Sequence, residues 1–166
     1  MTDTPRPGEQ QLPFDPGADS DATLAYIGVL RSDWRKGGAP RNLGQARERG
    51  GGGARVELKP GYADGLRGLE VGRAIWLLLW FDRARRDLIV QAPAHAEGPR
   101  GTFALRSPVR PNPVAMELVR ITSLDTARGV IGIDATDAFD QTPVLDIKPW
   151  IAAIDSPPEE GAAPES

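Results

Sequence analysis

Residues 73–81 read RAIWLLLWF. The apolar run inside this stretch, 74–81, is eight residues long. A membrane-spanning helix needs about 20, so the run suits a buried strand. It is apolar at every position, so both faces of the strand are covered. Such a strand is either central in its sheet or lies at a subunit interface. Trp76 and Trp80 are four apart and share one face.

Working outward, short apolar runs alternate with Gly and Pro punctuation, the pattern of an all-β domain. The expected strands cover 24–32, 54–59, 87–92, 101–107, 114–125, 129–136 and 143–147, besides the central run. TARG at 126–129 reads as a hairpin turn, and GYADGLRGLE at 61–70 as a turn or two of helix. The expected fold is a small closed or partly open β-barrel of mostly antiparallel strands with one or two short helices. Residues 1–22 and 156–166 are polar, acidic and rich in Pro, so both are expected to be disordered tails around a body at 23–155.

The 166 residues carry a formal charge of −3. Most of the excess acid sits at the two ends. Residues 25–151 hold 14 acids against 19 bases, a net of +5. Seventeen of the chain's cationic side chains are Arg and three are Lys. Guanidinium forks bind carboxylate and phosphate bidentately, although a G+C-rich genome also favours Arg codons. There is no cysteine and a single histidine, His95. That excludes disulfides, thiolate metal sites and histidine-cluster metal sites. His95 lies in APAHAEGPRG and reads as a loop residue. The N-terminus has no secretory pattern, and a cytoplasmic protein without metal is expected.

Four glycines at 50–53 invite comparison with a phosphate loop. A phosphate loop follows a strand and opens a helix, whereas this run is followed by the strand-like ARVELK. It reads as a flexible loop. Three other clusters carry more chemistry. RSPVRPNP at 106–113 has three prolines that fix φ and extend the residues before them. This makes a stiff arm bearing Arg106 and Arg110, either an anion-binding loop or a plain connection. DATDAFDQTPVLDIK at 134–148 holds four aspartates. They suit a cation, ribose hydroxyls or an amine, or serve as turn caps. GGAPRNLG at 37–44 is a loop that lets backbone approach a ligand.

Together these clusters resemble the TsaA-like (YaeB-like, TrmO) family of tRNA N6-threonylcarbamoyladenosine methyltransferases. The resemblance runs in order through IGVLRSDW at 27–34, PRN at 40–42, YADGLRGLE at 62–70 and IWLLLWFD at 75–82. It continues through FALRSPVRPNPVAM at 103–116 and DAFDQTPVLDIKPW at 137–150. It implies a β-barrel that binds S-adenosylmethionine, acts on tRNA and forms a homodimer. Carried over by position, Pro40, Arg41, Asn42, Asp82, Arg83, Arg106, Met116, Asp134, Ala135, Thr136 and Asp137 would bind the cofactor. Arg110 would meet RNA, and no general base is named. The chain departs from the family at Asn42 for Gln, Asp82 for His, Gln141 for Gly and Glu117 for Ser. A reversed charge at Asp82 keeps open a non-tRNA acceptor, and a non-catalytic module binding RNA or cofactor remains the further alternative.

Overall fold

In the computed structural model, which describes residues 4–18, 21–94 and 96–157, the central run becomes a strand at Ala74–Trp80. The pleat sorts its side chains strictly. Ile75, Leu77 and Leu79 are fully buried, while Trp76, Leu78 and Trp80 stand half-buried on the opposite face. The run is therefore two-faced, with its interior face making the core.

Nine strands are described: β1 Gln10–Gln11, β2 Gly28–Arg31, β3 Arg55–Leu58, β4 Ala74–Trp80, β5 Leu88–Gln91, β6 Arg100–Gly101, β7 Val114–Asp125, β8 Val130–Ile133 and β9 Thr142–Pro149. Six of them close into a barrel in the order β2-β3-β8-β7-β4-β9, with β9 returning to β2. All the pairings are antiparallel. Closure removes every open edge. The interior is filled by Leu30, Val56, Ile75, Leu77, Leu79, Val119, Ile121, Ile131, Ile133 and Val144. The all-β barrel expected from the sequence is the observed architecture.

Strands β1, β5 and β6 form a separate small sheet in the order β1-β5-β6. It departs from expectation twice. Residues 4–18 of the supposed N-terminal tail are laid against the body: Gln10 pairs with Val90, and Leu12 donates its N–H to the Asp87 carbonyl at 2.7 Å. The stretch 101–107 is not one strand. After β6 it becomes a 3₁₀ turn at Thr102–Ala104. There the buried Thr102 hydroxyl donates to the Leu88 carbonyl (3.0 Å) and accepts from Gln91 Nε2 (2.9 Å), in place of a continuing ladder. The C-terminal tail beyond 157, His95, residues 1–3 and 19–20 lie outside the described residues.

The helical content is slight. A 3₁₀ turn at Ala63–Leu66 falls within the expected 61–70. Two short α-helices, α1 Leu43–Glu48 and α2 Ala152–Asp155, agree with the expected one or two but lie outside the stretch where helix was expected. α1 starts where Asn42 accepts the Gln45 N–H at 2.9 Å, and the Gln45 side chain returns to accept from the Arg41 N–H at 2.7 Å. The glycine run after α1 is no free loop. Gly51 and Gly52 are buried, with φ of 77° and 72°. A Cβ on Gly52 would strike the Trp34 indole, and one on Gly51 the Asp134 carbonyl.

Candidate functional site

An antiparallel barrel gathers its connections at two ends. One end receives the C-terminal ends of β2, β4 and β8 together with the N-terminal ends of β3, β7 and β9. The four chemistry-bearing segments are the connections at that end: 32–42 after β2, 81–87 after β4, the proline arm before β7, and 134–141 between β8 and β9. Topology thus assembles clusters that lie up to 100 residues apart in sequence.

A cleft of about 670 Å³ opens where they meet. Six of the expected residues line it: Pro40, Arg41, Asp82, Arg83, Arg106 and Asp137. Ala39, Phe81, Val109, Ala138 and Phe139 supply apolar wall. The cleft shares Arg41, Arg85, Arg106, Pro108 and Val109 with a larger groove of about 1030 Å³, which Asn42, Thr4, Arg6 and Glu9 also border. The arrangement therefore offers guanidinium groups, two carboxylates and flat apolar surface side by side. It suits a ligand with a carboxylate, a cationic group and an apolar ring.

The segments are held by named contacts. Trp34 is buried and donates its indole N–H to the Thr136 carbonyl at 2.6 Å. The Arg49 guanidinium lies over the Trp34 ring at 4.5 Å and donates to the Gly38 carbonyl at 2.8 Å. These fasten the 32–42 connection to the 134–141 connection. Arg83 donates to the Asp140 carbonyl at 3.2 Å and lies 3.9 Å from the Asp82 carboxylate. Arg106 donates to the Met116 carbonyl at 3.0 Å. The proline arm is fixed from behind by the buried Gln91, which donates to the Val109 carbonyl at 2.6 Å. Arg110 reaches back along the arm to the Ser107 and Thr102 carbonyls, each at 3.4 Å.

The four aspartates of 134–146 go separate ways. Asp134 accepts from Arg47 and from the Arg120 N–H, both at 2.7 Å, and so ties α1 and β7 to the loop outside the cleft. Asp137 lines the cleft. Asp140 is buried, accepts from the Ser32 N–H at 3.2 Å, and meets Arg31 and Arg35 at 3.2 and 3.3 Å. Asp146 pairs with Lys148 at 2.8 Å. Among the described residues, no group of three metal-ligating side chains gathers.

Five expected residues do not line the cleft, of which Asn42 borders the adjoining groove instead. Ala135 and Thr136 are fully buried beneath it. Asp134 is engaged elsewhere, as above. Met116 projects from the outer face of β7, 46% exposed, opposite Leu78. Its neighbour Glu117 points the other way, and sequence reasoning missed it. Glu117 is 3% exposed; Oε1 accepts from the Thr136 hydroxyl at 2.9 Å and the Asp137 N–H at 3.3 Å. Its Oε2 is buried without a donor. Burial, and then the neighbouring Asp137 carboxylate, push the Glu117 carboxyl well above the usual range. The signal was legible: in AMELVRI the alternation that sends Val119 and Ile121 inward sends Glu117 inward too.

Comparison with known proteins places this geometry among relatives. Residues 29–156 match the family of the tRNA-methyltransferase O N-terminal domain. A probable S-adenosyl-L-methionine-binding protein of Archaeoglobus fulgidus is 35% identical over 80% of this chain, and the match covers 35% of that protein. One from Methanothermobacter thermautotrophicus is 33% identical over 84% of this chain and 97% of its own length. The crystal structure of TrmO from Pseudomonas aeruginosa superposes with a TM-score of 0.62 at 28% identity, covering 86% of this chain and 62% of that one. A second TrmO crystal structure gives 0.63 at 30% identity, covering 87% and 65%. The chain thus spans 35% of the first of these relatives and under two thirds of either solved structure.

Proposed function

The chain belongs to the family of the tRNA-methyltransferase O N-terminal domain, and from that premise we propose that it binds S-adenosylmethionine in the barrel-end cleft and methylates threonylcarbamoyladenosine in tRNA at N6. The observation that carries this reading is the convergence of Arg41, Asp82, Arg83, Arg106 and Asp137 on one cleft with apolar walls. The donor set fits the cofactor. A guanidinium suits its carboxylate, an aspartate suits its ammonium or ribose hydroxyls, and Phe81, Phe139 and Val109 suit its adenine.

Bound there, S-adenosylmethionine supplies a methyl group already activated by its sulfonium. What remains for this chain is to hold the donor and acceptor in line and keep water out. The buried Pro40 and the Gln91-braced arm give the cleft rigid sides, so little ordering is left to the moment of binding. Arg41, Arg83 and Arg106 at the cleft, with Arg110 on the proline arm, would take RNA phosphates, and such binding weakens steeply with salt.

The outer face of β4 and β7, with Trp76, Leu78, Trp80, Leu118 and Met116, supports a homodimer as the working assembly. Among the described residues, no helix is long and apolar enough to cross a membrane; the compartment we propose, from the tRNA substrate, is the cytoplasm. Asp82 favours a second reading, a non-tRNA acceptor, because it puts a carboxylate at the cleft edge where RNA phosphates would approach. Methyl-labelled S-adenosylmethionine, incubated with tRNA pools with and without threonylcarbamoyladenosine, decides between them. We expect label only in the modified pool. Cofactor binding without label in either pool would sink the tRNA reading.

A further inference from the structure

We propose that Glu117 is a positioning residue for the cofactor's cationic group: as a neutral acid it donates a hydrogen bond to Asp137, so that Asp137 faces the cleft as one fixed carboxylate. The inference rests on the cofactor reading above and adds a residue to it.

Glu117 Oε2 is the only carboxylate oxygen among the described residues that is buried without a hydrogen-bond partner. An unpaired buried carboxylate oxygen is costly. Its sister atom Oε1 has two donors, the Thr136 hydroxyl and the Asp137 N–H, so it behaves as the carbonyl oxygen of an acid. The remaining oxygen is then the hydroxyl. The neighbouring charge is the Asp137 carboxylate, which after burial is what pushes the Glu117 carboxyl up. A proton on Oε2 converts the repulsion into a charge-assisted hydrogen bond.

Which of the two acids keeps the proton follows from solvation. Glu117 is 3% exposed, whereas Asp137 is only half-buried and borders the cleft. The drier group is the one that neutralises. The charges around the pair agree. Across β4 the register partner of Glu117 is the apolar Leu77. From 134–140 come Thr136 and Asp137. The cations that line the cleft are Arg41, Arg83, Arg85 and Arg106, and Asp82 lines it too. The cleft therefore presents guanidinium groups on three of its segments and, on the fourth, a single pinned negative charge. The chemistry that charge recognises is a cation, and S-adenosylmethionine has two, an ammonium and a sulfonium.

The test measures S-adenosylmethionine and S-adenosylhomocysteine binding by calorimetry on the full chain; the second ligand keeps the ammonium and lacks the sulfonium charge. Asp137→Asn should weaken binding about tenfold or more. Equal loss for both ligands assigns the ammonium, and loss for S-adenosylmethionine alone assigns the sulfonium. Glu117→Met, apolar and similar in size, should also lose about tenfold. Glu117→Gln, whose amide donates in place of the hydroxyl, should recover most of that loss, which a merely space-filling role would not produce. Combining Glu117→Met with Asp137→Asn should cost no more than Asp137→Asn alone. The infrared spectrum at neutral pH should contain a protonated-carboxyl band that Glu117→Gln removes. Wild-type affinity in a folded Glu117→Met overturns the inference alone, as does a Glu117→Gln no better than Glu117→Met. A wild-type chain that binds neither ligand overturns the cofactor reading and this inference with it.

Discussion

Every strand of the barrel has a neighbour on each side, and its interior is closed by aliphatic side chains such as Ile75, Leu77 and Ile131. The small sheet beside it keeps two open edges, and its ties are polar: Gln91 to Thr102 and Val109, Gln11 to Asp87, Asp87 to Arg85. The first region resists change because removing volume leaves a cavity. The second holds geometry at modest cost, which suits a frame for loops that must admit a ligand. Leu77→Ala is the strongest test of that contrast. It should destabilise the chain by about 2–5 kcal/mol in chemical denaturation. A loss below about 1 kcal/mol would mean that the barrel interior is not what holds the fold.

The loop end of the barrel offers a sharper test. Gly50 and Gly52 both have positive φ, 83° and 72°, but only Gly52 faces the Trp34 ring. Gly50→Ala should cost about 1 kcal/mol of backbone strain. Gly52→Ala adds a clash with a ring that is hydrogen-bonded to Thr136 and covered by Arg49, and should cost about 3 kcal/mol. Denaturation of the two variants side by side reads the difference. If they match, Trp34 yields freely and the cleft's wall is softer than its contacts imply.

The same contrast explains what the sequence made legible. Barrel strands announce themselves because burial of one face imposes a period of two over several residues. β1 and β6 are two residues each, too short to carry any period, and β1 is tied to a partner far along the chain through Gln11 and Asp87. Of the site, the proline arm and the PRN loop were legible as clusters. What was not legible was the direction of each side chain. Asp134 and Asp137 look alike in DATD, yet one ties α1 to the barrel and the other faces the cleft. Met116 and Glu117 are adjacent, and one step along a strand exchanges outside for inside. Gln141 adopts φ of 70° without being glycine, so the turn into β9 is imposed by tertiary contacts such as the Gln141 N–H to the Leu30 carbonyl.

The smallest expected effect lies in the polar sheet. The Arg85 guanidinium, at 2.8 Å, lowers the Asp87 carboxyl from its ordinary 3.8 to about 2. A depressed carboxylate stabilises the fold above its unfolded value and loses that contribution as pH falls through its folded one. The window here runs from about pH 4 down to about pH 2. Asp87 is partly open to solvent, so screening keeps the contribution below about 1 kcal/mol. Asp87→Asn should therefore lower the urea midpoint slightly at pH 6, and the gap from wild type should close by pH 2. Gln11 donates to the same carboxylate at 2.6 Å, so the N-terminal segment should become protease-sensitive over the same window, while the untitratable Leu77 layer stays closed. A segment equally protected at pH 6 and pH 2.5 would mean that its backbone pairing to β5, not the charge on Asp87, holds it. The two regions would then differ less than their contacts indicate.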